Sequence, residues 1–332
     1  MSMTNFRAYV LEQTEQGTTS FAMKQLSIDD LHEGEVTIRV AYSSVNYKDG
    51  MAAVRNQIIK TYPLIPGIDL AGTVEHSTDL RFQAGDEVIV TGYGLGVSWH
   101  GGFSEMARVP ADWAVPLPQG LTLREAMILG TAGFTAGLSV QRLEEHGLRP
   151  EHGPVLVTGA TGGVGSVAVD ILAGKGYEVV ASTGKAEERH YLQELGAKTV
   201  IDRHELSGAE PRALNTSRWA GAVDPVGGTT LQYILSTLQY GASVATSGMT
   251  GGGEVMTTVY PFILRGVNWL GIDSVQCPME QRTRVWHRLA NDLKPRHLNG
   301  RLVREITLEQ LPAALHQIVE GNMRGRTIVR CK

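Results

Sequence analysis

Residues 154–169 read Pro154-Val155-Leu156-Val157-Thr158-Gly159-Ala160-Thr161-Gly162-Gly163-Val164-Gly165-Ser166-Val167-Ala168-Val169. A short β-branched apolar run passes through a loop of small residues into a second, helix-like apolar run. From Ala160 the loop reads A-T-G-G-V-G, which is G-x-G-x-x-G with alanine in first place. Between a strand and a helix, this pattern is the fingerprint of a dinucleotide-binding βαβ unit. Gly162 lets the backbone approach a pyrophosphate, and Gly165 lets the helix pack closely on the strand. The amides at the helix start point at the anion, whose charge the helix dipole favours. Thr161, Gly162, Gly163, Val164 and Gly165 are therefore the candidate cradle. The context agrees: residues 155–158 supply the first strand, 164–173 the helix, and 177–182 a second strand after the Lys175-Gly176 turn.

Downstream the alternation continues. Residues 186–195 and 230–238 read as helices, and 199–202, 220–224, 242–247 and 267–272 as strands. Alternating β and α elements predict a doubly wound parallel sheet over about 150–273. Upstream the chain is strand-rich and turn-rich. Glu35 to Tyr42 alternates polar and apolar residues, the mark of a half-buried strand. Further short strands are expected near 6–11, 68–74, 86–90, 103–109 and 113–117, forming a small β-barrel or sandwich. Thr122 followed by Glu125 is a capping box, and helical spacing runs on to 143. The tail reads helix 279–293, strand 302–306, helix 308–319 and strand 326–330, a return to the first domain. The 332 residues thus divide into a first domain of 1–126 with 275–332 and a dinucleotide domain of 127–274.

Bulk composition is that of an ordinary globular protein, with 42% hydrophobic and 19% charged residues. A net charge of -4 gives no global attraction to nucleic acid or an anionic membrane. The two cysteines, Cys277 and Cys331, are too few for a disulfide framework and read as inert thiols. No signal pattern opens the chain, and no apolar run approaches the ~18 residues that span a bilayer. A cytosolic location is the expectation.

An acidic residue after the second strand would favour the ribose hydroxyls of NAD. Here Ser182-Thr183-Gly184-Lys185 stands at that place, with hydroxyls, backbone amides and an ammonium that suit the 2′-phosphate of NADPH. Arg203, after the third strand, adds a bidentate donor. Glu187 and Glu188 belong to the solvated face of the next helix.

A turn-rich β domain, a central dinucleotide domain and a returning tail resemble the medium-chain dehydrogenase/reductase superfamily over nearly the whole chain. Within it, residues 43–49 (S-S-V-N-Y-K-D), 65–72 (I-P-G-I-D-L-A-G), 130–136 (G-T-A-G-F-T-A), 219–224 (W-A-G-A-V-D) and 261–267 (P-F-I-L-R-G-V) are similar to the zinc-free, NADPH-dependent acryloyl-CoA reductases, a quinone-oxidoreductase-like branch. The resemblance implies a GroES-like β-barrel domain joined to a Rossmann domain. It also implies cofactor contacts from Tyr47, the glycine loop, residues 182–185, Arg203, Met249, Ile263, Ser274 and Asn322. Other readings stay open: Met249 and Ile263 as core residues, Asn322 as a helix C-terminal turn residue, Ser274 as a strand-end hydroxyl. The strand near 267–272 resembles one that pairs across a two-fold, implying a homodimer.

Zinc enzymes of the superfamily need thiolate and imidazole ligands. The first-ligand position holds Asn46, and Pro66-Gly67-Ile68-Asp69 offers no histidine. His76, His100, His146 and His152 read as exposed loop residues. Without a Lewis acid, an activated alkene is a better substrate than a simple alcohol. The expected reaction adds hydride to the β-carbon of a C=C conjugated to a thioester, as in acryloyl-CoA, leaving enolate charge on oxygen. Asn46, Tyr47, backbone amides and a ribose hydroxyl are the candidate donors. Tyr47 either relays the proton to the α-carbon or only contacts the cofactor, and Asp69 braces the site. Arg55 and Lys60 either meet coenzyme A phosphates or are solvated. The rival readings are a quinone or enone reductase and an NADPH-binding protein without turnover.

Overall fold

The structure is a computed structural model that describes residues 5–59, 61–206 and 212–332; Lys60 lies outside the described residues. Along the first third run β1 (Phe6–Gln13), β2 (Thr19–Leu26), β3 (Val36–Val45), α1 (Tyr47–Ala53), β4 (Asp69–Ser77), β5 (Glu87–Thr91), β6 (Met106–Val109) and β7 (Ala114–Pro116). Then come α2 (Leu123–Glu145), β8 (Val155–Val157), α3 (Gly163–Gly174), β9 (Val179–Thr183), α4 (Arg189–Glu194), β10 (Thr199–Asp202), β11 (Trp219–Asp224) and α5 (Gly228–Thr237). The chain closes with β12 (Leu238–Thr246), α6 (Tyr260–Arg265), β13 (Asn268–Gly271), α7 (Met279–Ala290), β14 (Val303–Thr307), α8 (Leu311–Val319) and β15 (Arg326–Arg330).

Two compact units result. Unit 1 holds residues 1–131, 275–287 and 303–332; unit 2 holds 132–274 and 288–302. Residues 288–302, which the sequence groups with the first domain, fall in unit 2. There the buried Asp170 of α3 accepts bonds from the His297 amide at 2.8 Å and the Arg296 amide at 3.3 Å, and Arg288 reaches Glu144 at 2.7 Å.

In unit 1 a seven-stranded sheet runs β14-β15-β3-β4-β5-β7, with β6 also on β3, and β1-β2 form a separate hairpin. The predicted alternation holds at the start of β3, where Val36, Ile38 and Val40 are fully buried. It stops at Ser43-Ser44-Val45, all buried, because this end of β3 pairs with β15 and Ser43 Oγ donates to the Asp69 carbonyl at 2.7 Å. The Thr122–Glu125 capping box forms as read, with the Thr122 amide bonded to Glu125 Oε2 at 3.0 Å and the Glu125 amide to Thr122 Oγ1 at 3.2 Å.

In unit 2 six parallel strands take the order β10-β9-β8-β11-β12-β13. Counted from β8 this is 3-2-1-4-5-6, the doubly wound order, in which the sequence of strands reverses between β8 and β11. Ligands of such sheets bind beyond the carboxyl ends of the strands at that reversal. Val155, Leu156 and Val157 are fully buried, worth about 1.5–3 kcal/mol per side chain. That burial anchors the strand from which the glycine loop springs.

The sequence does not announce β2, α1 or α6. β2 is a half-exposed hairpin arm whose Phe21 stacks on Tyr9 at 4.7 Å. α1 and α6 are only 7 and 6 residues long, too short for periodicity to show. The helix read through 122–143 is broken at Gly130, which takes φ 51°, ψ -156°.

Candidate active site and cofactor cradle

The tight turn after β8 belongs to Gly159, at φ 52°, one residue earlier than the motif puts it. Its carbonyl accepts the Gly162 amide at 2.9 Å and fills the place of a Gly165 side chain, whose Cβ would stand 2.4 Å away. Gly165 is thus the close-packing glycine. Gly162 is the N-cap of α3, and a Cβ there would meet only the Gly159 carbonyl, at 3.3 Å. Protein packing makes little demand for glycine at that point, which suits the approach of a bulky anion. The first i→i−4 bond of α3 is Ser166 to Gly162 at 2.9 Å. The amides of Gly163, Val164 and Gly165 precede it and are unspent within the helix. These residues fit a dinucleotide pyrophosphate.

Beside this loop stands the carboxyl end of β9. Ser182 O holds the Ala160 amide at 3.0 Å, and the Thr161 and Thr183 hydroxyls lie 3.4 Å apart. Ser182 Oγ is buried without a hydrogen-bond partner, an uncompensated polar atom. Gly184 is exposed and Lys185 half-buried, with the Lys185 amide donating to Thr183 Oγ1 at 3.0 Å. A Cβ on Gly184 would lie 2.6 Å from Arg203 Nε and 2.7 Å from its Cζ, so the guanidinium rests against the glycine backbone. The Thr183 hydroxyl, the Gly184 backbone and the Arg203 guanidinium thus stand together at the end of β9, donors of the kind a phosphate dianion needs. Glu187 is exposed on the following turn.

The loops after β11 and β12 complete the end of the sheet. Asp224, fully buried, accepts Thr158 Oγ1 at 2.5 Å and the amides of Val226 and Gly227; burial pushes its carboxyl up. Val226 and Pro225 lie against Gly159, and Gly248 and Gly251 lie against Pro225 and Val226. Met249 belongs to this layer and is 69% exposed, so it is not a core residue. Ile263, 68% exposed on α6, is not one either. Ser274 is half-buried beyond β13. Asn322 belongs to unit 1, in the turn after α8, where its amide donates to Gln317 O at 3.0 Å. Sequence reasoning missed Ser247, whose buried Oγ also has no partner, just past β12.

In unit 1, Asn46 caps α1 and Tyr47 is its first residue. Tyr47 is 38% exposed, with the Arg55 guanidinium 5.8 Å from its ring centroid and Arg55 Nη2 donating to Val319 O at 3.1 Å. Asn46 is buried. Its Nδ2 donates to Asp69 Oδ2 at 2.8 Å and Ser44 Oγ at 3.3 Å, and its Oδ1 accepts from Arg326 Nη1 at 3.1 Å. Both amide hydrogens are used inside the protein. In this geometry Asn46 has no amide hydrogen left over for a substrate. Asp69, fully buried, also accepts Ser44 Oγ at 2.6 Å, the Thr131 amide at 2.8 Å and Thr131 Oγ1 at 2.5 Å, the bracing arrangement anticipated. Asp49 accepts the amides of Asn46 and Ile68; burial and the nearby Asp69 push its carboxyl up to about 7.

Among the described residues no group of three His, Cys, Asp or Glu is placed to hold a metal ion. Both cysteines are buried, and burial pushes the Cys331 thiol up to about 12. His100 is corrected: it is 7% exposed, not a surface residue, with its ring 4.2 Å from that of His32 and its Nδ1 accepting the Ile65 amide at 3.1 Å. Burial and His32 push its pKa down to about 4. An imidazole depressed in the folded state stabilises fully above its ordinary value of 6.5 and loses that contribution as pH falls towards 4. The difference spans about 3 kcal/mol. His100→Asn keeps an acceptor for Ile65 but no titration. Its stability relative to wild type therefore improves by about that amount between pH 7 and pH 4, as read from denaturant melts. A difference independent of pH would contradict the assignment.

The comparisons with known proteins agree with this layout. Residues 32–119 match the family model of the alcohol dehydrogenase GroES-like domain, and 163–291 that of zinc-binding dehydrogenase. The chain is 58% identical over 312 residues to the putative quinone oxidoreductase YhfP of Bacillus subtilis, covering 94% of each. It is 51% identical to the acrylyl-CoA reductase AcuI of Ruegeria pomeroyi, covering 98% of each. The crystal structure of YhfP with NAD bound superposes with a TM-score of 0.96 at 56% identity, covering 98% of this chain and 99% of that one. That of the YhdH oxidoreductase of Salmonella enterica in complex with NADP gives 0.94 at 46% identity, covering 98% and 100%. With a GroES-like unit, a parallel sheet in dinucleotide-binding order and relatives this similar along their whole lengths, the chain belongs to the medium-chain dehydrogenase/reductase superfamily, in the group that includes YhfP and AcuI.

Proposed function

We propose that the chain is an NADPH-dependent oxidoreductase that reduces the C=C bond of acryloyl-CoA, a 2-enoyl thioester, to propanoyl-CoA. The observation that carries this reading is 51% identity to an acrylyl-CoA reductase over 98% of both chains. When bound, the dinucleotide supplies a hydride. Thr161 to Gly165 would hold its pyrophosphate, and Ser182 to Lys185 with Arg203 its 2′-phosphate; Tyr47, Met249, Ile263, Ser274 and Asn322 are the further contacts that the family resemblance implies. Hydride addition at the β-carbon leaves an electron pair shared between the α-carbon and the thioester oxygen. Tyr47 provides an exposed phenol for that oxygen or for the proton that the α-carbon takes up; water is the other source of the proton. Protein donors rather than a metal ion steady the charge. Arg55, whose guanidinium lies 5.8 Å from the Tyr47 ring centroid, is the proposed partner of a coenzyme A phosphate.

The runner-up is a quinone or enone reductase, favoured by the 58% identity to a putative quinone oxidoreductase. Initial rates of NADPH and NADH oxidation with acryloyl-CoA, 1,4-benzoquinone and a 2-alkenal decide between them. The reading requires acryloyl-CoA with NADPH to give the highest kcat/KM. A homodimer in the cytosol is part of the same proposal. β13 is the open edge of its sheet, and Trp269 on it, with Tyr260, Ile263 and Leu264 on α6, is an exposed apolar side chain.

A further inference from the structure

β15 has an arginine at each end; Arg330 is exposed, whereas Arg326 is only 2% exposed. Its guanidinium donates from Nε to Ile128 O at 2.8 Å, from Nη1 to Val45 O at 3.3 Å and Asn46 Oδ1 at 3.1 Å, and from Nη2 to Ser44 Oγ at 2.9 Å. Nη2 also stands 4.0 Å from Asp69 Oδ2. One side chain thus grips three consecutive residues, 44–46, immediately before Tyr47. It also grips the carbonyl two residues before the Gly130 break. The other side-chain bonds of Ser44 and Asn46 lead to Asp69 and to each other.

Core stability does not require such a residue. A buried cation costs several kcal/mol in desolvation, and apolar side chains of similar volume often do as well or better. A planar fork of five N–H groups gives fixed geometry instead, which a lysine cannot copy. On its other side α1 rests directly on α8: a Cβ at Gly50 would lie 2.5 Å from Val319 Cγ1. Arg55, just past α1, ties to Val319 and covers the Tyr47 ring. The start of α1 is held between the Arg326 group and α8.

We infer that Arg326 is a positioning residue of the reaction, fixing residues 44–46 and through them the place of the Tyr47 phenol. The inference rests on the part given to Tyr47 above. Its test is a double-mutant cycle with Arg326→Gln, Tyr47→Phe and both together, run with whichever acceptor turns over fastest. Arg326→Gln lowers kcat by about tenfold or more, as small misplacements of reacting groups do. In the Tyr47→Phe background the same change lowers kcat by less than about twofold, because the group it positions is gone. A merely structural role would instead give losses that multiply, and that result overturns the inference. So does full turnover by Arg326→Gln beside a deficient Tyr47→Phe, which leaves the reading of Tyr47 standing. Full turnover by Tyr47→Phe removes the reading of Tyr47 and the inference with it. If Arg326→Gln does not fold, the pair Arg326→Gln with Asp69→Asn, which removes both buried charges at once, replaces it as one arm of the cycle with the same criteria.

Discussion

Gly130→Ala melts well below the wild type, by the equivalent of at least about 3 kcal/mol. Gly130 has φ 51° and ψ -156°, a region open essentially to glycine alone. The added methyl would also stand 2.5 Å from Asp69 Oδ2, 2.7 Å from Ser44 Oγ and 2.8 Å from Arg326 Nη2. Those atoms are bonded to one another and to Asn46, so none retreats without opening a buried polar group. Strain of about 1–3 kcal/mol and a lost buried hydrogen bond of similar size add. Turnover falls as well, since the displaced atoms are those that hold Asn46. Gly300→Ala is the control: its Cβ would meet only the His297 carbonyl at 3.6 Å, and its stability stays within about 0.5 kcal/mol. Thermal or denaturant melts of the three proteins check this. Equal stability of Gly130→Ala and wild type would mean that the break in α2 is not imposed by the cluster.

The second large effect concerns the choice of cofactor. Arg203→Gln weakens NADPH binding by about 10- to 100-fold, the loss of one or two charge-assisted bonds, and leaves NADH binding nearly unchanged. Gly184→Ala acts the same way at one remove. Its methyl needs the space 2.6 Å from Arg203 Nε and pushes the guanidinium out of place. Since YhfP has been crystallised with NAD and YhdH with NADP, the ratio of the two affinities is the informative quantity. Fluorescence titration with each nucleotide measures it without turnover. Equal losses for both nucleotides would remove Arg203 from the 2′-phosphate.

The glycine loop and the parallel, doubly wound sheet of unit 2 were legible because each rests on a local pattern. A β-branched run, a loop of small residues and an apolar helix can hardly be assembled otherwise, and Val155 to Val157 are buried as that reading needs. Gly184 and Arg203 were legible as chemistry, though not their direct contact, which depends on pairing β9 with β10. The turn at Gly159 escaped because a sequence pattern cannot say which glycine takes a positive φ. Asn46 was singled out as a candidate, but its hydrogen bonds were not foreseen. Its commitments depend on Arg326, 280 residues away, and on Asp69, and no spacing rule connects such positions. The last strand carries arginines at both ends, and its sequence does not say that Arg326 is buried while Arg330 is exposed. His100 was misplaced because loop residues are ordinarily exposed, and here His32 and Ile65 close over the ring.

The central claim is that this chain passes hydride from NADPH to the β-carbon of an enoyl thioester and protonates the neighbouring carbon. The direct test is turnover of acryloyl-CoA with NADPH deuterated at the transferred position of the nicotinamide ring, followed by mass spectrometry and NMR of the thioester. The account predicts propanoyl-CoA with deuterium at C3, and in D2O a second deuterium at C2. Deuterium at C2 from the nucleotide, or an unlabelled thioester while a quinone is reduced, would contradict it.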